Sequence, residues 1–567
     1  MASSAHGTAS VSLGITSNLE KARQSSNEDD NKSSKLGEVD GIESSLENGN
    51  VDDTAGGDDA DNNNIGYPSD LKLAAIVVAL VLSMFLISLD MTIVATAIPK
   101  ITDEFRSLLD VAWYGSAFFI TIGGFQSAWG KAYKYFPLKV TFMASIAIFE
   151  VGSLICGVAP TSEALIVGRA IAGVGAAGVS SGTYTIIAFA AEPKKRPMFT
   201  GILGASYGIA SVVGPLIGGV FSDYVSWRWC FYINLPIGGV SAGIILLFFK
   251  TPPTAKPTKA HLKEKILQMD PLGTLLIMGC VVSLILSMQY GGQTHAWNSS
   301  VVIGLLVGFF VILIAFIILE AHLGERAMLV TRIMKRRVIW VTTAFQFCFA
   351  GPYYAVLYYL PIYFQSVDNT SPTESGIRNI PLILALTICT ILSGGFITKT
   401  GIAAPLLITG ATLATIGSGL LYMLDIGTGS GKWIGYQILA GVGWGIGFQV
   451  PIIMSQGTSP PEDLAPATAV ILFFQTLGGA FFVAIAQCAF VNEMLRILPF
   501  SAPGVSPMRV VSVGATEIRA DFPQDQVQGI IVAYMSGIKI AFAITTAGVG
   551  ISVIVCLFAP FKRLGAK

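Results

Sequence analysis

The sequence predicts an all-α integral membrane protein with fourteen transmembrane helices, arranged as two six-helix bundles plus two extra helices. Three observations lead to this fold class. Only 12% of the 567 residues are charged and 53% are hydrophobic, whereas soluble domains carry about 25% charged residues. Apolar runs of about twenty residues, long enough to cross a bilayer as helices, recur along the chain. Lysines and arginines concentrate in alternate loops between these runs.

Residues 1–70 form a separate polar block. They are rich in Ser, Asn, Gly and Asp, with an acidic run that includes Asp52, Asp53 and Asp58. Such a segment cannot bury enough apolar surface to offset the entropy lost on ordering, so we expect a disordered cytoplasmic tail. The block lacks the apolar core of a signal peptide. The first apolar run is therefore expected to stay in the protein as a membrane anchor.

The apolar runs themselves are continuous rather than alternating. This indicates helices, because an open sheet cannot sit in lipid. The predicted spans are 73–98, 111–132, 138–158, 164–188, 201–222, 231–250, 271–290, 300–320, 338–361, 376–398, 404–424, 433–455, 465–489 and 538–558.

The orientation of the spans follows from the charged loops. With the N-terminus in the cytoplasm, the inner loops hold most of the positive charge, including Lys194, Lys195 and Arg196 in one loop. This asymmetry agrees with the positive-inside rule. Two sequons, at Asn298 and Asn369, then fall in outer loops, where glycosylation is expected.

The seventh and eighth spans lie between two long basic loops, and removing them leaves six spans on each side. We therefore predict a first six-helix bundle over 71–250, basic linkers with two extra helices over 251–330, and a second bundle over 331–567. A weak repeat supports the two bundles. Gly130 and Lys134 stand at the inner end of the second span of the first bundle, with the same spacing as Gly395 and Lys399 at the inner end of the second span of the second bundle.

Composition and spacing exclude several functions. A formal net charge of zero argues against nucleic acid as a partner, because phosphate binding needs a basic excess. The seven cysteines are scattered without metal-ligand spacing, so neither a metal nor a disulfide framework is predicted. Residues 173–178, GVGAAG, match the dinucleotide pattern but lie inside an apolar run rather than after a strand. Without a phosphate loop or a nucleophile–base pair, we predict no cofactor and no enzyme.

Several segments resemble a known family. Residues 89–99 read LDMTIVATAIP, 165–175 read LIVGRAIAGVG, 214–219 read GPLIGG and 227–236 read WRWCFYINLP. These resemble motifs of the fourteen-span drug:proton antiporter family of the major facilitator superfamily. The second half resembles the family through residues 359–365, YLPIYFQ. The resemblance implies the major facilitator fold for the two six-helix bundles.

The same resemblance assigns roles to individual residues. Arg169 belongs to the motif that the family ties to proton transfer. The antiporter motif that the family associates with exporters corresponds here to Gly214, Pro215, Gly218 and Gly219.

One segment departs from the family pattern. The loop after the second span usually reads like GxxxDxxGRK, but here residues 130–139 read GKAYKYFPLK. Lys134 stands where the acid is usual, so the charge relay across the inner gate is not expected in its usual form. Gly130 and Lys134 remain the residues of this loop that we expect to act in conformational change. The sequence of this loop, together with residues 149–157 (FEVGSLICG), is similar to that of toxin-efflux carriers of filamentous fungi.

The resemblance implies a proton-coupled efflux transporter that exports a toxic secondary metabolite (a mycotoxin) or a drug. The expected partners are a small amphiphilic or apolar cargo, protons and the lipid bilayer, and the protein is expected to be a monomer. The expected location is the plasma membrane, with a vacuolar or vesicle membrane as the alternative. The alternative function is a siderophore importer or a vacuolar basic amino-acid transporter. A membrane receptor or enzyme is the alternative from another class.

Ionisable residues inside the membrane are the first site candidates, because burying them is costly. With a rise of about 1.5 Å per residue, Asp90, Glu150 and Arg169 lie at a similar depth, roughly 9–12 Å below the outer surface. We expect Asp90 to carry the proton and Arg169 to modulate it, with Glu150 as the second candidate carrier. A purely structural ion pair is the alternative.

The ninth span is rich in aromatic residues. Tyr353, Tyr354 and Tyr358, with Gln449 in the twelfth span, are candidates for lining a substrate cavity, because aromatic rings suit an apolar or amphiphilic cargo. Core packing is the alternative for them.

Overall fold

The computed structural model describes residues 67–105, 110–513 and 517–564. The tail predicted over 1–70 therefore lies outside the described residues, apart from its last four positions. The long helices of the described part are numbered here in chain order: α1 Asp70–Phe105, α2 Val111–Tyr135, α3 Leu138–Val158, α4 Ser162–Ala190, α5 Arg196–Tyr224, α6 Asn234–Phe248, α7 Pro271–Tyr290, α8 Ser300–Leu323, α9 Arg337–Ser366, α10 Ile380–Thr400, α11 Ala404–Tyr422, α12 Ser430–Gly447, α13 Leu464–Ser501 and α14 Gln524–Cys556.

Short helical segments connect some of these long helices. They are Trp229–Tyr232, Leu262–Gln268, Thr331–Met334, Pro372–Arg378, Val450–Thr458, Pro507–Ser512 and Ile518–Asp521, with 3-10 turns at Gly324–Arg326 and Pro461–Asp463.

The helices agree with a multi-pass membrane protein. In the described part of the chain, twelve helical segments are long and apolar enough to cross a membrane. The predicted spans that fall outside this set correspond to α2 and α9. Both helices bury polar side chains against their neighbours, among them Gln126 and Lys131 in α2 and Gln346 in α9. The count of fourteen spans stays a prediction.

The last two long helices extend further than predicted. The spans expected over 465–489 and 538–558 correspond to α13, which continues to Ser501, and α14, which begins at Gln524. The apolar run of α13 ends at polar residues, but the helix continues past them. Arg496 pairs with Glu493 one turn earlier, at 2.8 Å, and such pairs support an exposed helical turn. The outer loop expected over 490–537 is therefore reduced to residues 502–523.

The helices pack in two groups. In the first, α1 packs on α5 and α6, while α4 packs on α2 and α3. In the second, α9 packs on α13 and α14, and α12 packs on α10 and α11. We call these groups, α1–α6 and α9–α14, the first and second halves. The predicted division into separate bundles stays a prediction, because the described residues from 67 onward belong to one compact unit.

The glycine-rich twelfth span is interrupted. α12 ends at Gly447, and a second helical segment begins at Val450. Pro451 gives the physical reason, because proline has no amide hydrogen to donate to the preceding turn. The break places Gln449 at a helix junction inside the protein, where its side chain is 4% exposed.

The two extra helices attach beside the seam between the halves. α7 packs on both α2 and α13, whereas α8 packs mainly on α7. The segment 324–336, which follows α8, is tied to α2: Ser127 donates a hydrogen bond to the oxygen of Met328 at 2.6 Å. Lys131 donates to two other main-chain oxygens of that segment, at 3.1 and 2.7 Å. The carboxyl groups of Asp270 and Glu320 accept from the Met328 amide.

Candidate functional site

The first half contains a buried ion pair in its centre. The Arg169 guanidinium on α4 contacts the Asp90 carboxylate on α1, with Nη1 and Oδ2 separated by 2.5 Å. Both side chains are at most 1% exposed. The two residues predicted to lie at a similar depth are therefore in direct contact. An isolated charge here would be costly, so each partner stabilises the charged form of the other.

Further contacts hold the guanidinium in place. Arg169 Nε donates to the main-chain oxygen of Tyr114 on α2, at 2.9 Å. The Phe118 ring lies against the guanidinium, with 4.1 Å from its carbon to the ring centroid. A cation over an aromatic face is stabilised electrostatically. Arg169 therefore has partners on α2 in addition to Asp90 on α1.

Asn234 is a site residue that sequence reasoning missed. Its amide nitrogen donates to Asp90 Oδ1 and to Ser153 Oγ, each at 3.1 Å. This network joins α1, α3 and α6 around one carboxylate. The available signal was a buried amide within the motif at 227–236, but its partner depends on how α6 packs on α1.

Glu150 lies near this network without joining it. Its carboxyl group packs against Gly238, where an added Cβ would collide with it. Gly238 and Glu150 are each about one helical turn from the Asn234–Ser153 contact. Both carboxyl oxygens of Glu150 are buried without a hydrogen-bond partner among the described residues. A carboxylate without a partner is costly inside a membrane, and a bound proton removes that cost.

The antiporter motif forms the contact between α5 and α1. A Cβ at Gly214 would collide with Thr92, and one at Gly218 would collide with Thr96 and the main chain of Ile93. Close approach of α1 to these two positions therefore requires glycine. Gly219 differs, because an added Cβ there would meet nothing within 4 Å. Pro215 lies within the continuous helix α5.

Two glycines close the end of the protein that carries the basic loops, which we call the inner end. Gly130 on α2 lies against Ala465 and Ala469 of α13, and Gly394 on α10 lies against Pro197 of α5. Each contact joins one half to the other. Gly395, which the sequence repeat pairs with Gly130, makes no such contact, because an added Cβ there would meet nothing within 4 Å.

Lys134 finds an acid on the other half. Its Nζ lies 3.5 Å from Oδ1 of Asp463, which directly precedes α13 and is fully buried. Arg332 binds the same carboxylate through two nitrogens, at 2.7 and 2.9 Å. Arg336 adds a contact at 2.7 Å. The loop after α2 is therefore linked to the second half through Lys134 and Asp463, and sequence reasoning did not select Asp463.

The four cavity candidates are placed differently. Tyr354 is half-buried, and its ring meets that of Tyr207 from the first half, with centroids 6.2 Å apart. Tyr358 is 52% exposed and lies one turn further out on the same helix. The amide of Gln449 lies so close to Gly204 that a Cβ added there would collide with it. Gln449 therefore packs against α5.

Tyr353 requires a correction. Its side chain is fully buried, and its ring packs edge-on against Trp444 and Phe448, with centroids 5.5 and 5.4 Å apart. It is therefore a packing residue of the second half, because consecutive residues of α9 point about 100° apart around the helix.

Comparison with known sequences decides the family. A sequence profile described as Major Facilitator Superfamily matches residues 80–483. The chain belongs to this superfamily. Its members are transporters, so the prediction that the chain is not an enzyme is confirmed.

Relatives of this major facilitator cover most of its length. It is 57% identical to MFS-type transporter grgE of a Penicillium species, over 88% of each chain. It is 53% identical to the probable efflux pump gsfJ of Penicillium aethiopicum, over 88% of this chain and 89% of the relative. The resemblance to fungal carriers is thereby confirmed.

The fold also matches solved structures. The proton:xylose symporter XylE aligns with a TM-score of 0.58 at 12% identity, over 87% of this chain and 98% of the symporter. At that identity the likeness concerns the fold alone, and the predicted major facilitator fold is confirmed.

The two sequons of this major facilitator differ in structure. The Asn298 side chain is exposed in the loop between α7 and α8. Asn369 is also exposed, but its Oδ1 accepts a hydrogen bond from Arg519 at 3.2 Å and its backbone has a positive φ of 55°. Glycosylation stays a prediction for both, and Asn298 is the less constrained position.

Proposed function

We propose that this chain is a proton-coupled efflux transporter of the plasma membrane that exports a small, amphiphilic or apolar toxic metabolite as a monomer. The buried Asp90–Arg169 pair is the observation that carries the proposal. The relative named as a probable efflux pump supports transport in the outward direction. The two halves belong to one chain and meet at the inner end, so one copy supplies both walls of a transport path.

The pair provides a means of coupling protons to movement. When Asp90 is ionised, it neutralises Arg169 and ties α1 to α4. A proton on Asp90 removes that attraction, while Tyr114 and Phe118 still hold the guanidinium. Because α1 also packs on the glycines of α5, a change at Asp90 reaches the helices that face the second half. Loading from one side and release to the other would then accompany cargo movement in the opposite direction.

Glu150 is the alternative proton carrier in this proposal. Its carboxyl group lies about one turn from the network and has no partner among the described residues. In the part of the chain that the structure describes, no basic side chain pairs with it to favour the ionised form. The two acids therefore differ in kind, since Asp90 is paired and Glu150 is not.

The test is gradient-driven cargo uptake into everted vesicles. Asp90→Asn keeps the shape of the side chain but cannot release a proton, so uptake under an imposed pH gradient should fall below a tenth of the wild-type rate. Cargo binding should persist. Asp425→Asn is a matched control on the outer surface, where a hydrogen bond from Lys539 lowers the pKa of Asp425. This control should transport normally.

Unchanged uptake by Asp90→Asn, with unchanged dependence on the gradient, would make the Asp90–Arg169 pair structural. Glu150→Gln then becomes the decisive variant. If neither variant changes the response to the gradient, the proton-coupled mechanism is wrong.

A further inference from the structure

A row of uncharged polar side chains crosses between the two halves. Tyr207 on α5 donates to the sulfur of Met91 on α1, at 3.6 Å, and its ring meets Tyr354 on α9. Gln475 on α13 donates from its amide nitrogen to the Tyr354 hydroxyl, at 3.1 Å. Tyr207, Tyr354 and Gln475 are all half-buried. They therefore keep part of their surface free for a ligand.

The row ends at an acceptor that has no donor. Gln346 on α9 donates from its amide nitrogen to Gln475 Oε1, at 2.8 Å. Its own oxygen, Oε1, is buried and has no hydrogen-bond partner among the described residues. The Gln346 side chain is fully buried. Buried polar atoms are nearly always paired, so this oxygen is suited to a ligand that brings a hydrogen-bond donor.

The helices that supply the row carry no formal charge near it. Residues 338–366 of α9, 464–492 of α13 and 197–222 of α5 contain no Asp, Glu, Lys, Arg or His. The nearby acid of the first half, Asp90, is fully buried and already paired with Arg169. An organic cation bound at the row would lose its hydration without gaining a counter-charge, which is strongly unfavourable.

We propose that this row binds the cargo, and that the cargo is an uncharged aromatic compound whose hydroxyl group donates to Gln346 Oε1. The inference rests on the proposed function, since it names the cargo class of the same transporter. Aromatic rings stack or meet edge-on with the rings of Tyr207 and Tyr354. The hydroxyl group satisfies the one acceptor of the row that lacks a partner.

The row also offers a route from binding to movement. The Tyr207–Tyr354 contact is made by one ring from each half, so a flat molecule inserted between them replaces a direct contact between the halves. Cargo binding thus acts on the same seam that Gly130 and Gly394 close at the inner end.

The test is binding to the purified full-length protein in lipid nanodiscs, without a proton gradient. Three probes are compared: a trihydroxyanthraquinone, its fully O-methylated ether and the aromatic cation ethidium. We expect the hydroxylated probe to bind at least tenfold more tightly than the ether, and ethidium to bind most weakly. Gln346→Leu should remove the preference for the hydroxylated probe over the ether.

Gln487→Leu is the matched control on α13. Its side-chain oxygen already accepts from Tyr359, at 2.7 Å, so this variant should keep the full preference. If Gln346→Leu does not fold, Tyr354→Phe tests the row. It removes one hydroxyl group of the row and should weaken the binding of the hydroxylated probe more than the binding of the ether. Equal binding of the ether and the hydroxylated probe to the wild type, or tightest binding of ethidium, would overturn the inference.

The two proposals fail separately. A protein with the expected probe preference but no gradient-driven transport would contradict proton-coupled export and leave the cargo site standing. A protein with gradient-driven export but no preference for the hydroxylated probe would contradict the cargo site alone.

Discussion

Replacing Asp463 with asparagine should open the inner end. The substitution keeps the size of the side chain but leaves Lys134 and Arg336 without their acid, whereas Arg332 keeps its contact with Glu325 at 2.9 Å. Removing one partner of a buried ion pair costs about 3–5 kcal/mol. Here the carboxylate is fully buried, but the three cations are 15–43% exposed. Solvent screens part of the loss, and we expect about 2 kcal/mol.

A change of about 2 kcal/mol corresponds to a roughly 30-fold shift in the ratio of inner-closed to inner-open molecules. Hydrogen–deuterium exchange measures this shift directly. Peptides that cover residues 130–136 and 458–466 should exchange faster in Asp463→Asn than in the wild type. Glu462→Gln is the matched control, because Glu462 is the neighbouring acid and is exposed. Its exchange should equal that of the wild type.

A second variant separates loss of charge from loss of folding. Adding Arg336→Gln to Asp463→Asn removes the arginine that contacts Asp463 at 2.7 Å in the wild type, so the double variant should exchange more slowly than Asp463→Asn alone. If Asp463→Asn exchanges no faster than Glu462→Gln, the charge cluster does not hold the inner end closed.

Two further predictions concern the antiporter motif and the topology. Gly218→Leu should reduce export below a tenth of the wild-type rate, because the leucine side chain collides with α1, while the protein still reaches the membrane. Gly219→Leu is the control and should export normally. Equal export by both variants would contradict the close packing of α5 on α1. An epitope tag inserted near Pro503 should bind antibody on intact cells, because the basic loops assign the 502–523 loop to the outside, and labelling only after permeabilisation would contradict the fourteen-span topology.

The sequence predicted features that depend on one helix at a time. Asp90 and Arg169 meet as expected because depth in the membrane follows from residue number along a regular helix. Gly214 and Gly218 are four residues apart in the motif, so they lie on one face of α5 for the same reason. Their contact with α1, rather than with another helix, required the structure.

Features that depend on how two helices rotate against each other were not predictable. Gly394, rather than Gly395, meets the first half because one residue turns the helix by about 100°. The same rotation places Tyr353 in the core and Tyr354 at the seam. The sequence did not indicate Asp463, because this residue lies in a short turn outside any apolar run and its partners come from separate parts of the chain.

The ties of the 324–336 segment have a consequence for the speed of the transport cycle. The segment is bound to α2 through Ser127 and to the start of α13 through the Arg332–Asp463 contact. When α2 and α13 separate at the inner end, the segment cannot follow both helices, so one set of bonds must break first. We therefore expect the bonds of this segment to slow the opening of the inner end, so that the time the protein spends in the closed state depends on their strength. Evolution could thus tune the turnover rate in the insertion without altering the residues that contact cargo or protons.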